Sequence, residues 1–304
     1  MTVLAGFLGS GKTTLVNHLL RQADGPRIMV LVNDFGDLPI DEDLIAAKDG
    51  DTLTLANGCA CCSMGAGLYK AFSTALDYEP TPDHLLIEAS GVAEPKRIAN
   101  FARAEPDLTL NGIVTMVDAL NFQTTREDQR LSEIVEAQIS SAHILLLNKC
   151  DLAQQQNIDI CAEILRHVNE TAPIIKITHG ALSGDIFFGE GRSIDRLSET
   201  SNDSHSHTHE TDFSRWSVAT DSEINKATLK EVLNHLPPSI LRVKGIFRAT
   251  GESDLWVAHK AGTHIDISPL SMDSSFSGRT GFVAIGTKSP DFSNILDAAF
   301  HSLK

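Results

Sequence analysis

The eight residues Gly6-Phe7-Leu8-Gly9-Ser10-Gly11-Lys12-Thr13 constrain the fold of this chain more than any other segment. They follow an apolar run, Thr2-Val3-Leu4-Ala5, and lead into a stretch whose apolar residues have helical spacing. A glycine-rich turn from strand to helix aims successive backbone N–H groups at one point, at the positive end of the helix dipole, and so makes a cradle for phosphate. The pattern G-x-x-x-x-G-K-[ST] in that setting predicts a phosphate loop. Lys12 is expected on the β- and γ-phosphates and the Thr13 hydroxyl on Mg²⁺, with Gly6, Gly9, Ser10, Gly11 and Thr14 completing the cradle.

A loop of this kind belongs to a sheet buried on both faces, and the rest of the first half agrees. Apolar runs at 1–5, 28–33, 84–88, 112–117, 143–148 and 173–178 read as parallel strands. Helices are expected between them at 13–22, 67–76, 95–104, 128–141 and 158–169. The predicted fold class is α/β, a P-loop NTPase with a doubly wound, mostly parallel sheet and a second, smaller α+β domain. The first domain is expected over 1–190 and a polar, histidine-containing linker over 191–212. The second is expected over 213–304, with strands at 214–219, 243–248, 255–261, 264–267 and 282–286 and helices at 225–236 and 291–301.

Composition narrows the function. The net charge is −15, from 40 acidic against 25 basic side chains, which argues against a nucleic-acid partner that needs a basic surface. No apolar run approaches the length of a membrane span, and no basic segment followed by a secretory stretch opens the chain, so a cytoplasmic location is expected. Of the five cysteines, Cys59, Cys61 and Cys62 lie within four residues. Adjacent cysteines are poorly placed to bridge each other, so the cluster reads as metal-binding or redox rather than as a disulfide framework.

Two more segments point to the nucleotide. Asn148-Lys149-Cys150-Asp151 ends the apolar run Ile144-Leu145-Leu146-Leu147. A carboxylate at Asp151 can accept from both guanine N1–H and its exocyclic amine, whereas adenine would leave that acceptor unpaired. Asn148 is expected to hold the loop and the Lys149 stem to lie against the base, so GTP is preferred over ATP. Glu88 ends the run His84-Leu85-Leu86-Ile87, where an acidic side chain can bind Mg²⁺, and Gly91 can offer its N–H to the γ-phosphate. Lys12, Thr13 and Glu88 form the expected catalytic set.

Thiolates at Cys59, Cys61 and Cys62 favour Zn²⁺, Cu(I) or Co²⁺ over Mg²⁺, and Asp34 or Asp37 can complete a tetrahedral shell. The cluster lies between the phosphate loop and Glu88 in the chain, in the part of such a domain that answers to the γ-phosphate. Nucleotide hydrolysis can therefore be coupled to metal binding. His205, His207 and His209 are candidates for accessory metal capture. His84, His143 and His179 are expected to be structural, and Trp216 and Trp256 to pack in the second domain.

Together these segments resemble the CobW-type GTPases, metallochaperone-like relatives of the nickel-insertion GTPases of urease and hydrogenase. The resemblance rests on Gly6 to Thr14, Asn33-Asp34-Phe35-Gly36, Asn57-Gly58-Cys59-Ala60-Cys61-Cys62, Glu88-Ala89-Ser90-Gly91-Val92-Ala93-Glu94-Pro95 and Asn148 to Asp151. Arg242-Val243-Lys244-Gly245 and Gly278-Arg279-Thr280-Gly281-Phe282 extend it, more softly, into the second domain. Asp34 stands where the family has glutamate, which shortens a metal or switch carboxylate by one methylene. The resemblance implies a slow GTPase that holds Zn²⁺ and passes it to a client apo-metalloprotein, with a homodimer as one expected assembly. Cobalt delivery for cobalamin synthesis or metalloenzyme maturation is the alternative within the class. Outside it stand a metal sensor or storage protein with a vestigial nucleotide site, and a small-molecule kinase on the same loop.

Overall fold

The computed structural model describes residues 1–22, 27–32, 52–54, 71–129, 131–188, 213–270 and 280–303. Contacts divide the chain into two compact units, Met1–Leu182 and Ser183–Lys304.

The first unit is a seven-stranded sheet in the order β3-β2-β4-β1-β5-β6-β7, with every pairing parallel. Its strands are β1 (Thr2–Gly6), β2 (Ile28–Val32), β3 (Thr52–Thr54), β4 (His84–Glu88), β5 (Gly112–Asp118), β6 (Ile144–Asn148) and β7 (Ile174–Lys176). β1, β2, β4 and β6 are buried at every position, as strands covered on both faces must be. The helices are α1 (Lys12–Leu20), α2 (Pro95–Ala104), α3 (Phe122–Glu127), α4 (Ser132–Ser140) and α5 (Gln155–Val168), with a further helical run over 71–76.

Right-handed crossovers put α1, which leads from β1 toward β2 and β3, on one face. They put α2, α4 and α5, which lead the other way, on the opposite face. On that second face, Val3, Met29, Leu31, Ile87 and Ile113 pack against Phe72, Ile98 and Ala102. The same layer continues as Leu145 and Leu147 against Ile139, Ile158 and Leu165. The sheet is thus doubly wound, and β1 sits where the strand order reverses. Ligands of such sheets bind outside the carboxyl ends of the strands at that point.

The edge strand β3 and the short helix α3 go beyond the elements expected from periodicity. Three and six residues are too few to display a hydrophobic period.

The second unit opens with α6 (Gly184–Phe188). It contains an antiparallel path β12-β11-β10-β13-β8 with β9 added in parallel to β10. The strands are β8 (Phe213–Ala219), β9 (Glu223–Ile224), β10 (Ile240–Ala249), β11 (Leu255–Ala261), β12 (His264–Pro269) and β13 (Gly281–Thr287). One face packs on α7 (Lys226–His235) and α8 (Phe292–His301) through Val243, Phe247, Phe282, Leu229, Leu233, Leu296 and Phe300. Trp216 and Phe282 each lie about 5 Å from Phe300, ring to ring (5.0 and 4.8 Å). Arg242 is buried and donates to the carbonyls of Ile186 and Phe187, which fastens α6 to β10. Burial pulls its pKa down to about 9, which leaves it charged at neutral pH.

Among the described residues no helix is long and apolar enough to cross a membrane.

Candidate functional site

Four neighbouring strands end in polar groups at one edge of the first sheet. β1 runs into the phosphate loop, β4 ends at Glu88, β5 at Asp118 and β6 at Asn148. The parallel registers Leu4 with Glu88 and Asp118 with Asn148 bring these ends level.

The phosphate loop turns through Ser10 N to Phe7 O (3.2 Å) and opens α1 at Gly11. Gly11 has φ +102°, and a Cβ there would stand 2.4 Å from Asn148 Nδ2, so both backbone and space demand glycine. Lys12 is buried, and its ammonium donates to Gly6 O at 2.9 Å and Phe7 O at 3.4 Å. The charge is thereby held at the loop itself rather than in solvent. Thr13 Oγ1 donates to Glu88 Oε1 at 3.0 Å, and Glu88 is only 3% exposed. A hydroxyl and a carboxylate facing each other beside a phosphate cradle are the hard oxygen donors that suit Mg²⁺.

Asn148 joins the two halves of the nucleotide site. Its Nδ2 donates to Ser10 O (2.9 Å), and its Oδ1 accepts from Gly180 N (3.1 Å). The loop after β7 is thereby tied to the loop after β1. Lys149 adopts left-handed backbone, φ +61°, and its ammonium pairs with Asp118 Oδ2 at 2.8 Å. Asp151 stands exposed with His179 Nε2 3.5 Å from its Oδ2.

Three contributors escaped the sequence reading. Asp118 accepts from Leu120 N and Asn121 and carries the Lys149 ion pair. Burial pushes its carboxyl up, but the hydrogen bonds from Lys149, Asn121 and the Leu120 amide outweigh this and hold it below the usual carboxylate range. Its signal was available, because it ends an apolar run just as Glu88 and Asn148 do. His179 lies on the loop after β7 rather than in the core, at φ +53°, while His84 and His143 bond Thr2 Oγ1 and Ile113 N. Gln138 is a buried amide in the otherwise apolar stripe of α4.

Of the other expected groups, Gly91 lies against Leu8 of the phosphate loop. A Cβ at Gly91 would fall 2.6 Å from Leu8 Cδ2 and 2.8 Å from Leu8 N, so the two loops touch at a point only glycine allows. A cavity of about 120 Å³ lies beside this contact, lined among others by Phe7, Leu8, Ser10, Asp118, Gln138 and Lys149. Asp34, Asp37, Cys59, Cys61 and Cys62, with His205, His207 and His209, lie outside the described residues. Among the described residues no three His, Cys, Asp or Glu side chains are grouped to hold a metal ion.

Comparison with known proteins shows the family of the chain. Residues 1–176 match the model of the CobW/HypB/UreG nucleotide-binding domain, and residues 213–303 that of the cobalamin synthesis protein CobW C-terminal domain. The chain is 28% identical to zinc chaperone CobW of a Sinorhizobium species, over 87% of this chain and 86% of that protein. It is 30% identical to zinc chaperone YjiA of Escherichia coli, over 83% and 82%. Among solved structures, the Zn(II)-bound YjiA GTPase from E. coli aligns with 100% of this chain and 98% of that one, at 23% identity and a TM-score of 0.45. With its phosphate loop, its N-K-x-D loop and both domain models in order, the chain belongs to the CobW/HypB/UreG family of P-loop GTPases.

Proposed function

We propose that this protein is a GTP-hydrolysing metallochaperone that takes Zn²⁺ at Cys59, Cys61 and Cys62 and passes it to a client apo-protein. The hydrolysis of GTP acts as the switch between holding and release. The observation that carries this reading is the 3.0 Å contact between Thr13 and Glu88. Glu88 ends the strand that follows the cysteine-bearing stretch, so one carboxylate faces the phosphate loop and terminates the segment connected to the thiols.

Each residue then has a task. Lys12 supplies a positive charge fixed at the loop, where charge on the β- and γ-phosphates must be balanced. Thr13 and Glu88 would hold Mg²⁺, which when bound neutralises phosphate charge. Gly91 offers its N–H toward the γ-phosphate. Asn148 keeps the base loop and phosphate loop in fixed relation, and Asp151 selects guanine by accepting from its two adjacent donors. Zn²⁺ is the cargo of choice because thiolates suit it and because the similar CobW and YjiA proteins are named zinc chaperones. Asp34 or Asp37 would complete the shell in one nucleotide state. A cluster of free thiols requires a reducing compartment, which favours the cytoplasm.

GTP turnover of the wild type and of Lys12→Ala, each with and without equimolar Zn²⁺, tests the enzymatic half. The wild type is expected to turn over slowly and Lys12→Ala to lose at least about 100-fold, as when one charge-stabilising donor is removed. Absence of hydrolysis by the wild type in every condition would leave the sensor or storage reading in its place.

A further inference from the structure

Gln138 is 2% exposed on α4, and its side-chain amide spends its donors on a single loop. Nε2 donates to Gly91 O and to Ala93 O, each at 3.0 Å. That loop begins two residues after Glu88 and is closed as a turn by Ala93 N to Ser90 O (2.9 Å). Its Gly91 touches Leu8 of the phosphate loop. The backbone of Gln138 is fixed in turn, because its carbonyl accepts from Thr115 Oγ1 of β5 at 3.0 Å.

A buried amide costs more than an aliphatic side chain of the same size unless its hydrogen bonds repay the desolvation. Val135 and Ile139 beside it show that α4 is otherwise packed by aliphatics. Packing alone therefore gives no reason for glutamine here. The two carbonyls do, since without Gln138 they would lose their buried donor on either side of Val92.

We infer that Gln138 is a positioning residue for the loop 90–93. By clamping the Gly91 and Ala93 carbonyls it holds Gly91 against Leu8 of the phosphate loop, beside the place where a γ-phosphate would be read, and makes the reading of nucleotide state depend on α4. The inference rests on the proposed GTPase reading and names a group that acts through another rather than touching substrate.

Gln138→Met keeps length and volume and removes both donors. Fluorescence titration with GDP and with a non-hydrolysable GTP analogue separates positioning from general damage. GDP affinity is expected within about 2-fold of wild type, while the analogue weakens about 10-fold and kcat falls with it, the net worth of one to two hydrogen bonds. A wild type unable to hydrolyse GTP would remove the underlying reading. A wild type that turns over, beside a Gln138→Met with an unchanged analogue-to-GDP ratio and normal kcat, overturns the clamp alone. Should Gln138→Met lose GDP as well, the double variant Thr115→Val with Ser141→Ala decides, because it removes both hydroxyls that donate to the Gln138 carbonyl, at 3.0 and 3.1 Å. A selective loss of the analogue of a few-fold supports the clamp, and wild-type behaviour overturns it.

Discussion

On the proposed reading, Asp151 chooses a base by counting donors. Guanine offers it N1–H and an exocyclic N–H together, and both meet carboxylate oxygens that need no proton of their own. An asparagine there replaces one acceptor by a donor, which suits xanthine, whose C2 carries a carbonyl in place of the amine. Asp151→Asn is therefore expected to weaken GTP by about 100-fold and to bind xanthosine triphosphate more tightly than the wild type does, in competition titrations with the two nucleotides. A variant that loses both equally would assign Asp151 to loop structure. At this scale the placement of a residue was readable where a motif carries it, as for Lys12, Thr13, Glu88 and Asn148, whose side chains meet around the phosphate loop. His179 was unreadable for a physical reason. It reaches Asp151 because β6 and β7 are adjacent and because its backbone lies in the left-handed region, and neither is written in its neighbours.

Elements show the same division between local and non-local information. The fully buried strands announced themselves as unbroken apolar runs, and α1 by the motif that opens it. Strand β11 hides a less legible feature, since Lys260 is only 6% exposed and donates to Ile240 O and Gly262 O inside the second sheet. Burial drops its pKa to about 8, against about 10.4 in an unfolded chain. Between those values the unfolded chain holds a proton that the folded one has shed. Stability should therefore rise as pH climbs from about 8 toward 10, by up to about 1.4 kcal/mol per pH unit, and the cost of the buried charge is fully present below about 8. Both tryptophans, Trp216 and Trp256, lie in this unit, so their fluorescence reports its unfolding separately from the first. Urea unfolding at pH 7.5 and 9.5 is expected to show a gain larger by about 1–2 kcal/mol for the wild type than for Lys260→Met, since Arg242 and Lys244, whose pKa values burial also lowers, contribute to both proteins alike. The same gain in both proteins would place the titrating group elsewhere.

For the whole molecule, the polar ends of β1, β4, β5 and β6 meet at the strand-order reversal, a placement set by crossover handedness and sheet register rather than by any one segment. The alternation of strands and helices made that topology predictable. The contacts that tune it, Gln138 on Gly91 and Asp118 on Lys149, join residues 47 and 31 positions apart and required the fold to be seen. On the proposed reading, function at this scale is a coupling between nucleotide and metal. A nucleotide can shift metal binding only by as much as the two nucleotide states differ in their affinity for it. The direct measurement is Zn²⁺ competition titration of the reduced protein, once with GDP and once with a non-hydrolysable GTP analogue. The account predicts Zn²⁺ affinities that differ by at least about 10-fold between the two states, about 1.4 kcal/mol of coupling, and a difference abolished in Cys61→Ser. Equal affinity in the two states would contradict it.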